Sequence, residues 1–171
     1  MSFFQSLLET PTLSRVRRNH GLEHATLTIL APKYPHVPLA GHSDEGGFWI
    51  LGEASTEDVR EAAEQALARM RAGERALAVH PNCGTNLVTA GVLAGAAAWL
   101  GMLGSKRGRD QWDRLPTSVM LATIALFFAQ PLGPKIQAAV TTSGDPGNME
   151  ISAIRMEEHG SIRTHRIETW G

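Results

Sequence analysis

The chain has 171 residues, with 16 Lys and Arg against 17 Asp and Glu and a formal charge of -1, which suits one domain or one domain plus a small membrane module. Balanced charge and a pI near 6.7 lack the basic footprint of a nucleic-acid partner, so none is expected. Cys83 is the only cysteine, which excludes an intramolecular disulfide and fits a reducing compartment or a metal ligand.

Residues 2–9 suit a short amphipathic helix ending before Pro11, and this start does not resemble a signal peptide. Its apolar part is short, its basic residues follow rather than precede it, and Glu9 interrupts. A second helix is predicted over about 13–31, capped by Thr12 or Ser14 and stopped by Pro32 and Pro35. Leu13, Val16, His20, His24 and Leu27 recur every three or four residues and share one face.

The segment 37–45 reads as a strand or loop leading into a turn, with His42-Ser43-Asp44 in that turn rather than in a catalytic triad, whose members come from separate elements. His42 also offers an extra metal ligand. Gly46–Gly52 is a short apolar strand bounded by glycines. Ser55 with Asp58 resembles a capping box opening a helix over about 56–72. That helix is predicted to bury Val59, Ala63, Ala66, Leu67 and Met70, to leave Glu57, Glu61 and Glu64 in solvent, and to end at Gly73.

Residues 87–105 and 115–134 contain no Lys, Arg, Asp or Glu, so a mean hydropathy of -0.12 averages a polar protein with two apolar segments. Each is long enough to cross a bilayer, with Pro116 and Pro131 near the ends of the second and a polar loop carrying Trp112 between them. Trp99 and Trp112 suit headgroup level, and Gly91 with Gly95 permits close helix pairing in lipid. The insertion sum of the first segment is only a few kcal/mol, and a buried helical pair in a soluble core is the plain alternative. A bilayer is the expected partner, because soluble helices of this length need a polar face. Positive charges at Lys106, Arg107, Arg109 and Arg114 nearly balance Arg69, Arg71, Arg75 and Lys135. Without an export signal, an inner (cytoplasmic) membrane location with the polar parts facing the cytoplasm is expected. After the hairpin, two strand-like segments flank a turn at His159-Gly160, with His159 and His165 on an exposed tail.

Two motifs carry chemistry. His20-Gly21-Leu22-Glu23-His24 is an H-x-x-E-H arrangement, whose histidines, one helical turn apart, can chelate one ion while Glu23 holds a metal-bound water or acts as general base. Gly21 costs about 1 kcal/mol relative to Ala within a helix, which points to a close approach there. His80-Pro81-Asn82-Cys83-Gly84-Thr85 adds two ligand types at H-x-x-C spacing. Pro81 suits the first turn of the next helix, and a helix N-terminus favours the Cys83 thiolate that zinc prefers. Thr26, Asn82 and Thr85 are candidate partners of the ligands. Buried, hydrogen-bonded histidines and a small buried cysteine are the structural alternative.

These motifs resemble those of the YqhQ-like family of predicted metal-dependent membrane proteins, HGxEHxT and HPxCGT, matched here by His20–Thr26 and His80–Thr85. The likeness runs more loosely through Gln137, Thr141, Thr142, Pro146 and Glu150–Ala153, and this chain is shorter. The resemblance implies a metal and no particular substrate.

The expected fold is α+β: a helix-rich metal-binding domain with short strands, interrupted by a two-helix transmembrane hairpin. Its parts are 1–86, 87–134 and 135–171, the last a β-hairpin packing back on the first. The expected cofactor is Zn2+ or another divalent transition metal on His20, His24, His80 and Cys83. Four ligands would make a structural staple, in a homo-oligomer or as an accessory subunit of a larger membrane complex. Three ligands plus water, with Glu23 as base, would make a membrane-surface hydrolase.

Overall fold

The computed structural model describes residues 3–105, 108–159 and 162–171. The chain is α+β and divides into two compact units, residues 1–80 with 138–171, and residues 81–137.

In the first unit, helix α1 (Phe3–Leu8) precedes α2 (Pro11–Leu30), and a 3-10 turn (Ala31–Lys33) leads to strands β1 (Ala40–Asp44) and β2 (Gly47–Leu51). Helix α3 (Thr56–Arg71) and a 3-10 turn (Arg75–Ala78) follow, and after the second unit come β3 (Glu150–His159) and β4 (Ile162–Trp170). The strands form one antiparallel sheet in the order β1-β2-β4-β3. A register shift between Ile151 and Ala153 leaves Ser152 bulged. Of the turn expected at His159-Gly160, His159 is the last residue of β3 and Gly160 lies outside the described residues, as do Lys106 and Arg107 of the expected charged loop.

Helix α3 forms as its sequence dictates. The Ser55 hydroxyl accepts from the Asp58 amide at 3.1 Å, and Gly73, at φ +99°, closes the other end. There the Gly73 and Glu74 amides donate to the Met70 and Arg69 carbonyls, the Schellman pattern that satisfies the last carbonyls of a helix. The face carrying Val59, Ala62, Ala63, Ala66, Leu67 and Met70 is buried against Leu22, Ala25 and Leu30 of α2 and Phe48, Ile50 and Ile167 of the sheet. Glu57, Glu61 and Glu64 are exposed. Hydrogen bonds from Ser55, Tyr34 and Lys33 converge on Asp58 and hold its carboxyl well below the usual range. Bonds to Glu61 and Asp58 raise Lys33 in turn.

Three expectations change in this unit. Helix α2 starts at Pro11 after Thr10, without a side-chain cap, because proline at the first position needs no amide partner. Its residues 21–27 are buried on every side and Leu13 is exposed, because α3, β1, β2 and the turn before the hairpin surround it, so it has no single apolar face. His42, Ser43 and Asp44 stand in β1 rather than in a turn. The sheet row His42, Trp49 and Arg166 is in direct register, with the His42 ring stacked on Trp49 and the Arg166 guanidinium 3.7 Å from the indole centre.

The second unit is a helical pair, α4 (Gly84–Met102) and α5 (Gly108–Ile136), continued by a π-helical turn (Gln137–Thr141) that runs back into the first unit. The helices touch at Gly101, where an added Cβ would lie 2.8 Å from Ser118 Cα, and at Gly133, where it would lie 3.2 Å from Asn86 Cα. Gln137 Nε2 donates to Asn86 Oδ1 at 2.6 Å. Gly91 and Gly95 face open space. Helix α5 begins seven residues before the expected start and runs through Pro116 and Pro131 to Ile136. Each proline removes a donor and displaces the carbonyl one turn back, an interruption that apolar helices tolerate. Trp112 consequently lies on α5 rather than in a loop. Both helices are long and apolar enough to cross a membrane. Leu87, Val88, Val92 and Trp99 of α4 and Trp112, Val119, Phe127 and Phe128 of α5 are exposed.

Candidate metal centre

The middle of α2 is held in the core by polar contacts. Asn19 Nδ2 donates to the Asp44 carbonyl at 2.8 Å, and Thr169 Oγ1 donates to Asn19 Oδ1 at 2.6 Å. The Glu23 carboxylate, buried to 4 % exposure, packs against Gly41 of β1, where a Cβ would fall 2.2 Å from Oε1. Gly21 meets the backbone of Ser143, whose carbonyl oxygen would lie 2.1 Å from a Cβ. The interior glycine of the motif therefore does permit a close approach.

The two motif histidines are oriented alike. His20 Nδ1 is 3.0 Å from the Thr141 carbonyl, and His24 Nδ1 is 2.9 Å from the Ala78 carbonyl. A carbonyl only accepts, so each Nδ1 carries the donated proton and the coordinating lone pair falls on Nε2. This is the tautomer and the outer hydrogen bond typical of a metal-binding imidazole. The rings lie edge to face, with centroids 4.3 Å apart.

His20, His24 and Cys83 form a group that could hold a metal ion, with one ligand atom from each, all within 4.8 Å of one another. Cys83 is buried and is the N-cap of α4, its sulfur accepting from the Thr85 amide at 3.4 Å. Pro81 consequently lies before the helix rather than in its first turn. His80 stands beside the group, its ring centroid 5.7 Å from that of His24. Two imidazoles and a thiolate are a donor set for zinc or copper rather than for calcium or magnesium.

Other candidates lie elsewhere. His42 is exposed on β1 and outside the group. Thr26 bonds the Leu22 carbonyl of its own helix at 2.7 Å, the helix-stabilising role. His165, expected on an exposed tail, is fully buried in β4, with Nε2 3.1 Å from Thr56 Oγ1. Burial, and then Arg163, push its imidazole below the ordinary value. The Ala78 and Thr141 carbonyls left no mark in the sequence, because any residue supplies a carbonyl.

A family described as a domain of unknown function (DUF6391) matches residues 15–154. The match spans His20, Glu23, His24, His80 and Cys83. An uncharacterized protein of Picosynechococcus sp. is 37 % identical, over 82 % of this chain and 71 % of its own length. No solved structure matches the chain. The family found is not the YqhQ-like one that the motifs resemble, and the comparisons lend that kinship no support. By the span of the family match and the identity to its relative, this chain belongs to the DUF6391 family.

Proposed function

We propose that this protein is a membrane-associated metal protein in which His20, His24 and Cys83, joined by His80, hold a zinc ion that staples the fold. In this reading it serves as a subunit of a membrane complex, either with copies of itself or with other proteins. The observation that carries it is the convergence of three ligand atoms within 4.8 Å, with both imidazoles turned by backbone carbonyls to offer Nε2. A thiolate with imidazoles suits zinc. The exposed apolar faces of α4 and α5 support insertion in the inner membrane, with the polar unit on the cytoplasmic side.

A second reading is metal-assisted hydrolysis at the membrane surface with Glu23 as general base. It is favoured by one observation, that the group found among the described residues offers three ligands, because three protein ligands leave a position for water.

Metal analysis of the full chain purified in mild detergent tests the proposal. About one zinc per chain is expected, lost in His24→Ala and in Cys83→Ser; full retention in both variants would overturn it. Glu23→Gln separates the readings. Retained metal with loss of hydrolysis favours the enzyme, and retained metal with lowered stability favours the staple.

A further inference from the structure

The chain leaves for the apolar hairpin through Arg75–Ala78 and returns through Gln137–Thr141. Both segments are fastened to the same stretch of α2. Ala78 offers its carbonyl to His24 and Thr141 offers its carbonyl to His20. On the return side, the Ser143 amide donates to the Arg17 carbonyl at 2.8 Å. Arg17 Nη2 donates to the Thr142 and Ala139 carbonyls at 3.1 and 3.2 Å. Gly21 lies between the two histidines. A Cβ there would fall 2.1 Å from the Ser143 oxygen and 3.2 Å from Ala78 Cβ, so one missing side chain admits both segments.

We infer that Gly21 and the carbonyls of Ala78 and Thr141 are positioning groups of the metal centre, so that filling the centre fastens both ends of the hairpin's connection to α2. The inference rests on the metal reading above. A carbonyl that holds Nδ1–H fixes the ring and raises the basicity of Nε2. When Nε2 binds a cation, Nδ1–H becomes a stronger donor, and its bond to the carbonyl strengthens as charge-assisted bonds do. The coupling is reciprocal. Whatever loosens either carbonyl lowers metal affinity, and the metal lowers the mobility of both segments.

Backbone hydrogen exchange of the full chain in detergent micelles, chelator-treated against zinc-loaded, tests this. With zinc bound, amides of 75–80 and 137–143 should exchange about tenfold more slowly, a larger change than in α3. Zinc bound without slowing, slowing at one segment only, or equal slowing throughout α3 would overturn the inference and leave the metal reading standing. No zinc uptake would overturn the metal reading, and this inference with it. Gly21→Ala keeps every ligand and should weaken zinc binding about ten- to a hundredfold. Ser55→Ala, which removes the cap at the opposite end of α3, should leave zinc affinity unchanged; an equal loss in both would overturn the positioning role. If Gly21→Ala does not fold, the wild-type exchange decides alone.

Discussion

His165 and Thr56 meet inside the core, with imidazole Nε2 3.1 Å from the hydroxyl that opens α3. Charging this ring would place a cation in a buried site near Arg163, and both effects lower its affinity for a proton. The unfolded chain therefore takes up that proton first as the pH falls. The stability this group contributes is complete above its ordinary value of 6.5 and is lost as the pH drops through the lowered one. Melting temperature should fall on acidification from about pH 7 to about pH 5, and His165→Gln should flatten that part of the curve. His20, His24 and His80 are common to both proteins, so they do not explain a difference. Parallel curves would refute the assignment.

The two ends of α3 make separate predictions. Ser55→Ala removes the acceptor for the Asp58 amide and should cost about 1 kcal/mol. Gly73→Ala meets no neighbour within 4 Å, so its cost is conformational alone, about 1 kcal/mol. The sites are at opposite ends of a helix and share no partner, so the double variant should lose the sum. Urea denaturation of the three variants measures it, and a clear shortfall in the double would mean that the helix end was already frayed.

Helix α3 was legible because its cap, apolar face and terminal glycine agree with one another. The same holds for the glycine-bounded strand that became β2. Strand β4 hid its buried face, since the inward row of His165, Ile167 and Thr169 contains one apolar residue and the alternation shows only faintly. Helix α2 misled for the opposite reason. A period of three to four residues assumes one solvent face, and residues 21–27 have none. At the candidate centre, the ligand types and Gly21 were visible as residues. The carbonyls that turn the histidines belong to the backbone of Ala78 and Thr141, and only the folded chain brings them there.

Phe127, on the exposed surface of α5, separates a membrane helix from a soluble one. Its side chain is 69 % exposed, so on a soluble protein Phe127→Arg should change stability by less than about 0.5 kcal/mol. In the middle of a spanning helix the same change should cost about 3 kcal/mol of insertion energy. We expect the variant to leave the membrane fraction or to accumulate poorly, with Glu64→Arg, on the polar unit, as the unaffected control. A Phe127→Arg protein that is soluble, folded and abundant without detergent would rule out the bilayer.

Metal removal provides the last prediction, because it reads the staple through stability rather than through stoichiometry. An ion that binds only the folded chain stabilises it by about 2.7 kcal/mol when its concentration is a hundred times the dissociation constant. Chelation should therefore lower the melting temperature of the wild-type chain by several degrees, and returning zinc should restore it. Cys83→Ser removes the thiolate but keeps a group of similar size that can still accept from the Thr85 amide, so its metal-free fold should persist while its response to chelator disappears. Gly41→Ala disturbs the neighbouring Glu23 carboxylate, which a Cβ would approach to 2.2 Å, and leaves the three grouped ligands in place. It should lower the melting temperature with and without chelator and preserve the difference between the two. If Cys83→Ser instead keeps the full chelator response, the ion is bound somewhere that does not involve the sulfur.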